Sequence, residues 1–114
     1  MQVRKTFTEI NPELLYAEIK DFTLKQGASL GENKLETYTM PDQSASFISR
    51  GNLIFNVKSD SGKSGKECLR AHVVGSARGE TKLMIDADET LFPQEKLTAL
   101  MEDIDFIFGP YEAD

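Results

Sequence analysis

Tryptophan is absent from the 114 residues, and cysteine and histidine occur once each, as Cys68 and His72. A single thiol forms no internal disulfide, so a reducing, cytoplasmic location is expected. One Cys and one His also supply too few soft ligands for a structural zinc site. With four prolines and eight glycines there is no low-complexity linker, and no apolar run reaches the ~20 residues that cross a bilayer. The opening segment, Met1-Gln2-Val3-Arg4-Lys5-Thr6-Phe7-Thr8, has no apolar block of the secretory kind. No internal repeat divides the chain, and its length suits one domain over residues 1–114. No motif requires a cofactor.

Charge is plentiful but unevenly placed. The net charge is −6, yet from Asp86 to Asp114 nine acids meet one base, Lys96, for −8, which leaves +2 on residues 1–85. Such a division argues against a surface that grips nucleic acid all round, while leaving one basic face available. An acidic helix face also keeps a protein in solution.

That acidic segment contains the strongest periodic signal. Leu97, Leu100, Met101, Ile104, Ile107 and Phe108 recur at steps of three and four, which predicts a helix over 93–108 with one apolar stripe. Pro93 suits its first position, and Gly109-Pro110 reads as a stop, with Gly in the left-handed conformation. A helix this short needs a partner surface.

The rest of the chain reads as that surface. Val3 to Glu9 alternates as a strand, with Val3 and Phe7 on one side. Asn11 as N-cap, Pro12 and Glu13 start a helix that buries Leu14, Leu15, Ile19 and Phe22 and ends at Gly27. Ala28 to Asn33 is expected to be a loop, and Leu35 to Met40 a strand, closed by a turn at Pro41–Ser44. Ala45 to Lys58 is extended, with Gly51-Asn52 as a bulge in preference to a hairpin turn. Ser59 to Gly65 is a polar loop, and Lys66–Val74 with Glu80–Asp88 forms a hairpin around Ser76–Gly79. Inward rows are expected at Leu53, Phe55, Val57; Leu69, Ala71, Val73; and Leu83, Ile85, Ala87.

The fold class is therefore α+β: one twisted antiparallel sheet of four to six strands, in the order β-α-β-β-β-β-α, packed against an N-terminal helix and a long C-terminal helix. This order resembles the TATA-binding-protein half-repeat and the helix-grip proteins of the START and birch-pollen-allergen type. The resemblance implies a curved sheet around the last helix; it rests on element order, and no functional residue transfers with it.

Three segments invite chemistry. Leu83 to Leu91 carries Asp86-Ala87-Asp88-Glu89-Thr90 after an apolar strand, which resembles the first motif of haloacid-dehalogenase-like phosphatases. That resemblance implies Asp86 as nucleophile and magnesium ligand and Asp88 as general acid/base. The chain departs from the family afterwards, since the 23 residues beyond Leu91 offer one helix in place of a doubly wound sheet. Ser61 to Lys66 has the flavour of a phosphate-binding loop, but Val57 stands where the pattern needs Gly, and a strand follows where a helix is required. Cys68, Arg70 and His72 alternate and so should share a strand face, with Cys68 and His72 about 13 Å apart, too far for a thiol–imidazole pair.

The function expected is that of a small soluble non-enzymatic binding protein with two possible surfaces. An apolar small ligand would lie in the groove between sheet and last helix, against Phe55, Leu69, Val73, Leu97, Leu100, Met101 and Ile104. A protein partner would lie on the outward sheet face, with Tyr38, Lys58, Arg70, His72 and Lys82 as candidates. The alternatives are an enzyme using groove acids such as Asp86 and, third, nucleic-acid binding by the sheet, for which only Tyr38 offers a stacking ring. Oligomeric state stays open, and no membrane insertion is expected.

Overall fold

A computed structural model describes residues 1–39, 47–58, 65–76 and 79–113; of Thr39 and Phe47 only the backbone is described. The elements run β1 (Gln2–Thr8), α1 (Pro12–Lys25), β2 (Ser29–Thr39), β3 (Phe47–Asn56), β4 (Glu67–Gly75), β5 (Glu80–Ala87) and α2 (Gln94–Phe108), with a short 3-10 turn at Gly109–Tyr111. The five strands form one antiparallel sheet in the order β1-β5-β4-β3-β2. The architecture is α+β, and its β-α-β-β-β-β-α order resembles a helix-grip fold. No helix among the described residues is long and apolar enough to cross a membrane.

Strand alternation builds the core. Leu53 and Phe55 on β3, Leu69, Ala71 and Val73 on β4, and Leu83, Ile85 and Ala87 on β5 are all buried on one sheet face. Both helices cover that face: Leu15, Tyr16 and Ile19 from α1, and Leu97, Leu100, Ile104 and Phe108 from α2, belong to the same apolar cluster. Phe108 meets Phe7 of β1 edge-on at 6.0 Å, which ties the end of α2 to the sheet's outer strand. Full burial of a Leu or Ile is worth about 1.5–3 kcal/mol each, so the two stripes are what hold the helices down.

Local signals set the helix ends. The Asn11 side chain accepts a hydrogen bond from the Glu13 amide at 2.8 Å, and Pro12 follows it. Gly27 adopts φ +96° just past α1, a conformation that glycine reaches without cost. At α2, Pro93 occupies the cap itself and Gln94 the first helical position. Gly109 does not turn left-handed as expected: at φ −51°, ψ −42° it continues the right-handed path into the 3-10 turn. The tail then returns to β1, where Glu112 bridges Phe7 and the Ala113 amide donates to the Thr6 carbonyl at 2.7 Å.

Four further expectations need correction. The segment expected as a loop over 28–33 is mostly strand, because β2 begins at Ser29 and pairs with Asn56 and Phe55 before its register shifts between Leu30 and Asn33. The small and polar residues of Gly31-Glu32-Asn33 hid a strand that pairing with β3 enforces. Gly51-Asn52 is neither bulge nor turn: β3 runs straight through, with Gly51 opposite Leu35 and Val73. Its glycine has a packing reason, since a Cβ there would lie 2.4 Å from Cδ2 of Tyr16. Leu14 and Ile107, counted on the buried stripes, are 49% and 37% exposed, and Tyr16 and Thr23 are buried on α1. The Thr23 hydroxyl satisfies itself by donating to the Ile19 carbonyl at 2.7 Å. The turn at 41–44, most of the loop at 59–65 with its phosphate-loop resemblance, and Ala77-Arg78 lie outside the described residues.

Candidate functional site on the open sheet face

With both helices on one face, no described element packs on the other. Register fixes what that open face presents. One rung runs Arg4, Met84, His72, Asn52, Lys34 across all five strands. The rung on one side of it runs Gln2, Asp86, Arg70, Ile54, and the rung on the other side runs Thr6, Lys82, Val74, Arg50, Glu36. Ile54, Val74 and Met84 are half-buried among these polar neighbours, and Arg4, Arg50, Arg70 and Lys82 are exposed around them.

Two shallow depressions mark the face. One of ≈480 Å³ lies over Asn52, Ile54 and Arg70 and reaches Glu32 and Lys34. The other, ≈560 Å³, lies over Arg4, His72, Val74, Lys82 and Met84. His72 sits at the centre, with its Nδ1 hydrogen-bonded to Oδ1 of Asn52. Burial, and after it the Arg50 charge, lowers the His72 pKa below its ordinary 6.5, which favours the neutral ring. Arg70 pairs with Glu67 at 2.8 Å and Lys34 with Glu36, and in each case the carboxylate raises the base's pKa. Arg4, Arg50 and Lys82 have no carboxylate within ion-pair distance among the described residues.

The sequence candidates fall into two groups. Arg70, His72 and Lys82 lie together on adjacent strands, since Val74, the next outward residue after His72, pairs with Lys82. Tyr38 lies apart near the end of the edge strand, opposite Ile48, and Lys58 lies two residues beyond the end of β3. Arg50, Asn52 and Lys34 were missed, because an assumed bulge at Gly51 obscured the alternation and an assumed loop ended at Asn33. Cys68 does not share the face of Arg70 and His72: it is 2% exposed, on the core side. The register shift between Phe55 and Asn56 explains this, since it turns both Cys68 and Leu69 inward, and burial raises the Cys68 pKa.

The groove candidates Phe55, Leu69, Val73, Leu97, Leu100 and Ile104 are buried in the sheet–helix core, and Met101 is partly buried against it. Asp86 is not in that groove; it is exposed on the open face opposite Arg70. Asp88 is also exposed, and its carboxylate accepts from the Thr90 amide at 2.9 Å, which shapes the turn into α2. Among the described residues, no three His, Cys, Asp or Glu side chains are grouped to hold a metal ion. Comparison with protein-family models and with curated proteins finds no match.

Proposed function

We propose that the chain is a non-enzymatic binding protein that docks a protein partner on the open face of its sheet. The observation that carries this reading is the uncovered face itself. Half-buried Ile54, Val74 and Met84 supply a small apolar centre, and Arg4, Arg50 and Lys82 surround it with no carboxylate within ion-pair distance among the described residues. An apolar centre with a charged rim is the usual anatomy of a protein interface, and this rim fits a partner segment that carries acids around apolar residues. The kinship with helix-grip proteins belongs to the same proposal and extends to architecture alone. An apolar ligand in the sheet–helix groove has less support, because the protein's own side chains occupy that space.

Selection from a displayed peptide library against the immobilised full chain tests the reading. Enriched peptides should combine acids with apolar residues, and Met84→Glu should abolish their binding. Leu14→Asp, on the exposed back of α1, should leave it unchanged. No enrichment, or enriched peptides indifferent to Met84→Glu, would refute it. Peptides lost on Leu14→Asp instead would move the site to the helices.

A further inference from the structure

The two edges of the sheet are treated differently. At β1 the chain's own tail covers the edge: Glu112 bridges Phe7, Ala113 bonds to Thr6, and Lys5 reaches both Glu112 at 2.5 Å and Asp105 at 3.1 Å. At the opposite edge β2 pairs only with β3 among the described residues. An open strand edge presents a row of backbone donors and acceptors, ready to pair with another strand.

We propose that two copies of this chain join along β2, antiparallel about a two-fold axis at Leu35, into one continuous sheet of twice five strands. The occupant is chosen by the strand's own charges. In this register Lys34 faces Glu36 of the other copy and Glu36 faces its Lys34, which closes a ring of four alternating charges on the open face. Lys34 and Glu36 already pair within one chain, so both side chains lie on that face. On the helix face Leu35, 38% exposed, meets its own copy, and Asn33 meets Thr37. The neighbouring registers are penalised. A slip of two residues one way sets Lys34 against Lys34, and the other way sets Glu36 against Glu36. Charges on an edge strand usually guard it against pairing; this spacing makes the guard self-complementary about Leu35, while the alternative axis at Asn33, which would set Glu32 against Lys34, falls on the irregular stretch of β2 where the register shifts. The register shift between Leu30 and Asn33 bounds the ladder at its near end.

Sedimentation of the full chain over a range of concentrations and at low salt provides the test. The wild type should form a dimer. Glu36→Lys places four lysines around the axis and should raise the dimer dissociation constant roughly tenfold or more. The swap Lys34→Glu with Glu36→Lys restores the alternation and should restore dimerisation, which also separates charge from misfolding. Leu35→Cys should cross-link to its copy on mild oxidation, because Cα atoms directly opposite in an antiparallel pair stand about 4.5–5.5 Å apart, within disulfide range. A wild type that stays monomeric at every concentration would overturn the proposal. So would a Glu36→Lys dimer as tight as the wild type, a swap as weak as the single change, or a dimer in which Leu35→Cys stays reduced.

Discussion

Replacing Gly51 by alanine separates general propensity from the particular packing of this fold. Glycine inside a strand costs about 0.5–1 kcal/mol relative to alanine, so propensity alone predicts that Gly51→Ala stabilises. The structure predicts the opposite sign. A Cβ at Gly51 would lie 2.4 Å from Cδ2 and 2.8 Å from Cε2 of Tyr16, and 3.3 Å from Cδ1 of Leu35. Tyr16 is 7% exposed and is fixed between α1 and the sheet, so the ring has little room to withdraw. Overpacking costs about 1–3 kcal/mol, and two ring carbons under 3.0 Å place this case in the upper half of that range, which leaves a net loss of about 1–2.5 kcal/mol after the propensity gain. Far-UV circular dichroism during urea unfolding suits the measurement, because the chain has no tryptophan. At an m-value of about 1–3 kcal/mol/M, the midpoint should fall by roughly 0.3–2.5 M. In a Tyr16→Ala background the clash is gone, and the same Gly51→Ala change should be neutral or stabilising. The double variant should then be less destabilised than the sum of the singles by about 1–3 kcal/mol. A Gly51→Ala midpoint equal to or above wild type, or strict additivity, would refute the close approach of α1 to β3.

Two further outcomes follow from the same structure. Leu100→Ala and Ile104→Ala should each cost about 2–5 kcal/mol in urea unfolding, since both side chains are fully buried, whereas exposed Glu102→Ala should stay within about half a kcal/mol. Near-wild-type stability for both core variants, with altered uptake of an apolar dye, would instead favour a ligand space in the groove. His72 supplies a pH dependence: its folded pKa lies below the unfolded 6.5, so its contribution is full above pH ~6.5 and declines as pH falls below that value, where the unfolded chain takes the proton first. Thermal melts from pH 7.5 down to 5 should lose part of this slope in His72→Gln, and an identical slope in both proteins would contradict a half-buried ring under the Arg50 charge.

Much of the fold was legible because one side of each element must be buried. The alternation that marks Leu53, Phe55, Leu69, Val73, Leu83 and Ile85 follows from the two-residue period of a strand, and these residues line the core. The helix periodicities at 15–19 and 97–108 were equally readable. What failed was the meaning of single glycines. Gly51 reads locally as a break in β3, although its missing side chain makes room for a ring contributed by another element. Gly109 reads locally as a left-handed stop, although it continues right-handed into a tail that bonds to β1. A local signal cannot tell a glycine required by conformation from one required by a distant neighbour. The same limit affected the open face. Arg70, His72 and Lys82 were found from their own strands, but Arg50, Asn52 and Lys34 join them only through register across β3 and β2, which those two misread segments conceal.

The placement of both helices on one side has a consequence for binding. The sheet's free face is left uncovered by any described element, so its half-buried Ile54, Val74 and Met84 stand where the proposed partner would dock. The edge and the face are also linked through Lys34, which ends the central rung and stands beside the proposed axis. A two-fold axis perpendicular to the sheet keeps both open faces pointing the same way. Dimerisation through β2 would therefore extend the binding face across the axis without covering it, and the second site would act at the effective concentration set by the first. The Lys34–Glu36 ring proposed for the seam lies apart from Arg4, Met84 and Lys82 near the other edge, and meets the proposed partner-facing rim at one place, where Glu36 stands opposite Arg50.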